Sequence, residues 1–259
     1  MRRSRFLLFA LAVVLFFLLG PFLVILVASF GSEAIMTFPP EGFSMEWFVK
    51  VFNVEMFRNS FSTSLQTAIL ATLTALVLGF PVAYAIVRFT FAGKGFIEVL
   101  FSSPAIVPGL VIGFALLRFF VYVTAMPVFL GLYIGHTAVL FPYTVRVISA
   151  SLYNLDPSIE EAAISLGASR LGTFIRVVLP NVRAGVVAAF ILAFITSFNN
   201  VPISLFLTGP GVATLPIQML VYMEYYFDPT IAALSSLIIL FTILIVQGAE
   251  RLLGISKYV

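Results

Sequence analysis

The chain has 259 residues, of which 61% are apolar and 10% charged, with a formal net charge of +3. A soluble domain carries about a quarter charged residues, so this composition excludes an ordinary water-facing surface and points to a bilayer as solvent. The small net charge offers no nucleic-acid surface, and the absence of cysteine excludes a disulfide framework and thiolate metal sites.

Six segments are apolar over the ~20 residues that a spanning helix needs, at about 6–30, 60–87, 97–120, 129–150, 184–207 and 229–250. Lipid offers the backbone no hydrogen-bond partners, and these continuous runs are not the short alternating strands of a barrel, so an all-α integral membrane protein is predicted. The first run follows a basic start, as in a signal peptide. It lasts about 25 residues, beyond the ~7–15 of a signal core, and is read as a retained span. With both termini in the cytoplasm, eleven of the fourteen Lys and Arg fall inside and only Lys50, Arg58 and Arg118 fall outside or near the outer boundary.

The loop at about 31–59 places Trp47, Phe48 and Phe52 on a short amphipathic turn, expected at the membrane interface. Segment two opens with Ser60, Ser62, Thr63, Ser64, Gln66 and Thr67, whose polar groups can bond to their own helix backbone or to neighbouring helices, and Pro81 is expected to kink it. Pro104 and Pro108 break regular helix in segment three. Segment four holds the only histidine, His136; it is either a proton relay or a hydrogen-bond partner between helices, and no HExxH or carboxylate cluster accompanies it.

Between segments four and five lies a polar insert, about 154–181 (NLDPSIEEAAISLGASRLGTFIRVVLPN). Asp156 is a good N-cap, Pro157 suits the first helical position, and Glu160 and Glu161 sit near the positive helix end. Ile159, Ala162 or Ala163, and Leu166 form one narrow apolar face, and Gly167 is placed to close the helix in a left-handed conformation. A second short helix is expected with Leu171, Phe174 or Ile175, and Val178 on one face, stopped by Pro180.

Glu161-Ala162-Ala163, then Gly167, Val177, Leu179 and Pro180, stand at spacings that resemble the EAA motif of ABC-importer membrane subunits, with Val177 where the family pattern has isoleucine. The resemblance implies a six-helix type I importer permease: one transmembrane domain over residues 1–259, carrying a cytoplasmic coupling-helix pair at the insert. Glu161, Ala162, Ala163, Gly167, Leu179 and Pro180 would then form the contact with a separate ATPase. The stretch SFNNVPISLFLTGPGVATLPIQM is similar to the second permease of spermidine/putrescine importers. Where those relatives often carry acids, this chain has the neutral amides Asn199 and Asn200.

Asn199 and Asn200, with Ser197 and Thr196 as weaker candidates, either line a solute pathway within segment five or hold helices together. Glu224, Tyr225, Tyr226 and Asp228 make an acidic, aromatic outer turn. The chain has no GxxxxGK[ST] phosphate loop, so it is not expected to be an enzyme: ATP and Mg belong on an ABC ATPase dimer, and this chain binds no cofactor or metal. The further partners implied are a second, homologous permease in a heterodimer, a periplasmic or lipid-anchored solute-binding protein, and membrane lipid, at the bacterial inner membrane. A polyamine is the expected cargo; an amino-acid-like compound or a small anion, or an ion-coupled carrier, are the alternatives.

Overall fold

The computed structural model describes residues 5–102 and 107–253. Apart from one isolated bridge between Gly209 and Val212, the regular secondary structure of these residues is all helical. In chain order the helices are α1 (Arg5–Ala28), α2 (Glu46–Asn53), α3 (Glu55–Arg88), α4 (Lys94–Ser102) and α5 (Gly109–Phe119). A π-helical turn (Phe120–Thr124) precedes α6 (Val128–Tyr153), and α7 (Pro157–Ser165) and α8 (Arg170–Thr173) follow. A second π turn (Phe174–Val178) leads to α9 (Leu179–Asn181) and α10 (Arg183–Phe198). The chain then forms α11 (Ser204–Leu207), α12 (Leu215–Tyr225) and α13 (Thr230–Leu253).

Among the described residues four helices are long and apolar enough to cross a bilayer: Leu7–Ala28, Glu55–Arg88, Val128–Tyr153 and Thr230–Gly248. They match predicted segments one, two, four and six. Segments three and five are broken. Segment three divides into α4 and α5, with Pro108 in extended conformation just before α5; Pro104 lies outside the described residues. Segment five ends at Phe198, short of the predicted 207, because Pro202 lacks an amide proton and the Asn200 side chain accepts the Ile203 amide at 2.9 Å. Helix α12 lies between predicted segments five and six and follows the Gly209–Val212 turn.

Chain contacts divide the protein into two compact units, residues 1–59 with 218–244 and residues 60–217 with 245–259. In the first, α1 is exposed over its most apolar stretch, as suits a helix whose solvent is lipid. Trp47 is buried within the chain, its indole Nε1 donating to the Gly31 carbonyl at 2.7 Å, whereas Phe52 on the same helix stays exposed. The indole N–H needs a partner when enclosed, and the turn after α1 supplies it. Lys50 lies 5.1 Å over the Trp47 ring and 2.5 Å from Asp228, which also accepts from Tyr222 and the Thr230 amide.

Lys50 is raised above its ordinary value by the hydrogen bond to Asp228. Burial alone would raise Asp228, but donation from Lys50, Thr230 and Tyr222 together holds its carboxyl below the usual range. A carboxylate depressed in the folded state contributes stability above its unfolded pKa and loses it as pH falls through the folded value; the raised lysine contributes until pH climbs past the ordinary lysine range. Acidification below the usual carboxylate range is therefore expected to loosen this unit. Trp47 is the sole tryptophan, so its emission reports the change directly. An acid-induced emission step that Asp228→Asn removes is the expected result.

In the second unit, α3, α6 and α10 pack through small residues. Ala71, Ala75, Leu140 and Ala193 are buried together. A Cβ on Gly79 would lie 2.6 Å from Thr144 Oγ1, so glycine is what lets α3 approach α6 this closely. Thr144 Oγ1 in turn lies 3.0 Å from the Ala75 carbonyl of α3. Helix α3 runs unbroken through Pro81.

Candidate functional site

The polar insert folds as the sequence predicts at its ends. Asp156 caps α7, its side chain accepting the Ser158 amide at 2.9 Å, and Pro157 takes the first helical position. That amide bond holds the exposed Asp156 carboxyl below the usual carboxylate range. Gly167 has φ +91°; its amide bonds the Ile164 carbonyl at 2.9 Å, and the Ala168 amide bonds the Ala163 carbonyl at 3.1 Å. This is a Schellman closure, and its left-handed residue strains any side chain larger than hydrogen. Ser169 caps the next helix through the Gly172 amide.

Ile159 and Leu166 of the predicted apolar face both point outward, 43% and 89% exposed, with Ile164 beside them at 46%, while Glu160 in the first turn is only 7% exposed. The reason is a better partner. Glu160 Oε1 accepts from Arg88 Nε at 2.6 Å and Oε2 from the Tyr84 hydroxyl at 2.6 Å; Arg88 Nη2 also reaches the Leu155 carbonyl at 2.8 Å. Two charge-assisted bonds turn the acid inward and leave the apolar face outward, and a third ties Arg88 to the backbone just before α7. Drying two charges offsets much of their attraction, but removing one partner strands the other and costs ~3–5 kcal/mol.

The second helix is rotated from its predicted face. Thr173 and Val178 are buried and Phe174 is half-buried, while Leu171 and Ile175 are exposed. The π turn from Phe174 to Val178 shifts the register by one residue, which the regular helical spacing used for the prediction could not include. Phe174 packs edge-on against Phe80 and Tyr84 of α3, at 5.1 and 5.4 Å between ring centres. Pro180 does not stop this helix. It occupies an early position of α9, where no amide proton is needed, and the chain bends 69° between Asn181 and Arg183.

Of the motif residues, Glu161, Ala162, Leu179 and Pro180 are exposed and Ala163 is half-buried. Beside them lies a cleft of about 330 Å³ lined by Tyr84, Arg88, Glu160, Glu161, Arg170 and Thr173. The predicted motif residues are thus gathered on one exposed piece. Arg88 and Tyr84, which position it, were missed. Their signal was a four-residue spacing at the end of segment two, on the same helical face.

The candidates of segment five are not gathered there. Ser197 is buried, its Oγ 2.8 Å from His136 Nδ1, and His136 Nε2 lies 3.0 Å from Ser204 Oγ. Asn199 follows the last turn of α10, its side chain donating to the Ile195 carbonyl, and Asn200 caps the turn into α11. The two amides end the helix rather than interrupt it. His136 takes the second of its two readings, a hydrogen-bond partner between helices.

The family described as binding-protein-dependent transport system inner membrane component matches residues 75–254. Three curated relatives align over most of the chain. The putrescine transport system permease protein PotI of Escherichia coli K12 is 31% identical over 230 residues, 86% of this chain and 82% of that protein. The spermidine/putrescine transport system permease protein PotC of the same strain is 26% identical, over 89% and 87%. The molybdate/tungstate transport system permease protein WtpB of Pyrococcus furiosus is 31% identical over 187 residues, 71% and 72%. Among solved structures, a bacterial ABC transporter involved in the import of the acidic polysaccharide alginate shares the fold, with a TM-score of 0.71 at 18% identity over 97% of this chain and 98% of that one. The chain belongs to the family of binding-protein-dependent transport system inner membrane components.

Proposed function

We propose that this family member forms half of a solute pathway with a second permease and docks a cytoplasmic ABC ATPase through the insert at 154–181. The observation that carries the reading is the outward apolar face of Ile159, Ile164, Leu166, Leu171 and Ile175 on a piece that is otherwise capped and pinned. Contiguous apolar surface rimmed by charge marks a protein contact. ATP and Mg reside on the docked subunit, and a solute-binding protein delivers cargo to the opposite face. The excess of Lys and Arg assigned to the inner loops supports placing this insert, and both termini, in the cytoplasm.

The cargo we propose is a polyamine, supported by the names of PotI and PotC. A small oxyanion is the second reading, favoured by two observations. WtpB matches at the same identity as PotI. Arg118, with Phe114, Leu117 and Tyr122, lines a cleft of about 530 Å³. Uptake of labelled putrescine and of labelled molybdate into cells expressing the whole transport system separates the two. Saturable putrescine uptake that molybdate does not compete is the expected result; the reverse pattern assigns an oxyanion. Asn199→Leu is expected to lower uptake without loss of assembly, and normal uptake in that variant would remove Asn199 from the pathway. Asn200→Leu is expected to impair assembly as well, because its side chain caps the turn.

A further inference from the structure

Glu160 is the one buried carboxylate among the described residues, and it faces away from the apolar docking face of its own helix. What holds it is a single stripe on α3. Phe80, Tyr84 and Arg88 stand at successive four-residue intervals, which places them one above another on a helix. Phe80 and Tyr84 pack against Phe174 of the second insert helix; Tyr84 and Arg88 bond Glu160 of the first; Arg88 also bonds Leu155 just before it. One face of one helix thus grips both halves of the insert. The covalent route onward, into α10, passes through a 69° bend at Val182. A bend of that size gives an axial push a poor lever, whereas a fork of two guanidinium bonds resists both pull and rotation. Helix α3 then meets α6 at the close Gly79–Thr144 approach.

We infer that movement of the docked insert is passed to α3 through the Phe80–Tyr84–Arg88 stripe, with the Arg88–Glu160 pair as its pin, so that Arg88, Tyr84 and Glu160 are positioning residues for coupling and not part of the docking face. The inference rests on the docking reading above and separates from it by experiment, because docking is read as co-purification and transmission as ATP hydrolysed per solute imported.

The whole transporter, reconstituted with its ATPase and second permease, is compared across the unsubstituted chain and four substituted forms. Arg88→Lys keeps the charge but cannot hold Glu160 and the Leu155 carbonyl with one rigid fork. It is expected to retain ATPase co-purification within twofold, while uptake per accumulated chain falls at least fivefold. Arg88→Glu is expected to lose uptake more than twentyfold, and adding Glu160→Arg to return it to at least a quarter of the unsubstituted level. Tyr84→Phe, which removes one hydroxyl, covers the case in which the charge reversals fail to accumulate; a twofold or larger rise in ATP used per solute supports the inference. Uptake and ATP used per solute that both stay within twofold in Arg88→Lys and in Tyr84→Phe overturn it. So does loss of ATPase together with uptake in Arg88→Lys, which would put the pair in the docking surface. An ATPase that fails to co-purify with the unsubstituted chain overturns the docking reading instead.

Discussion

Leu166→Asp is expected to release the ATPase from the assembled transporter while the chain accumulates in the membrane at its normal level. Leu166 is 89% exposed, so the substitution removes almost no contact within this chain. Surface changes of that kind alter fold stability by only ~0.5 kcal/mol. Within the proposed interface the same side chain is enclosed. Burying a leucine contributes ~1.5–3 kcal/mol, and an aspartate in its place leaves an unpaired charge against an apolar partner. With ~1.4 kcal/mol per tenfold change in affinity, the loss exceeds tenfold even without the charge penalty. Co-purification of the ATPase, quantified against the accumulated chain, is the measurement. Undiminished co-purification would show that this apolar face is not the contact. Gly167→Val gives the matching backbone test. At φ +91° a β-branched residue costs ~1–2 kcal/mol, and the Schellman bonds that orient Leu166 go with it.

The same insert shows which parts of the structure were legible in the chain. Asp156-Pro157 and Gly167 act through bonds within a few residues, so a sequence pattern carries nearly all the information about them. Glu160 does not. Its orientation is decided by Tyr84 and Arg88, 76 and 72 residues away, and nothing local says that a charge beats Ile159 and Leu166 for the inward face. The second helix fails for a different reason: a π turn changes the register that the face prediction assumed. The spans follow the same division. Length and apolar content identify α1, α3, α6 and α13, because lipid tolerates only paired backbone. Segment five ends sooner than its apolar content implies: apolar residues continue past Phe198, while the stop is set by Asn200 and Pro202.

The insert and the break after α10 use polar groups for opposite ends. At the insert, charge turns an acid inward and leaves apolar surface free for a partner. At the break, neutral groups close on each other with nothing left over. A neutral imidazole has one donor and one acceptor, and Ser197 and Ser204 supply the complement on either side. Three helices, α6, α10 and α11, are joined at one buried ring.

His136→Leu is therefore expected to lower the thermal stability of the purified protein. The leucine fills the volume but strands two buried hydroxyls. Each buried unsatisfied group costs ~1–3 kcal/mol, and hydrogen bonds between membrane helices average only ~0.6 kcal/mol because freed groups find other partners. Serine can bond back to its own helix four residues earlier, which recovers part of the loss for Ser197 in α10. Ser204 has less to fall back on, since it opens a helix of four residues and the carbonyl four positions earlier is that of Asn200 in the turn. The net cost then falls at about 1–3 kcal/mol and concentrates on the α11 side. His136→Gln, with a donor and an acceptor at the end of a side chain of similar reach, is expected to recover at least half of it. Thermal unfolding in detergent of the three forms measures both effects. If His136→Leu is as stable as the unsubstituted chain, the ring is not what holds α10 and α11 to α6, and the turn carrying Asn199 and Asn200 is held by its own amide caps and the apolar packing of Ile203 and Leu207.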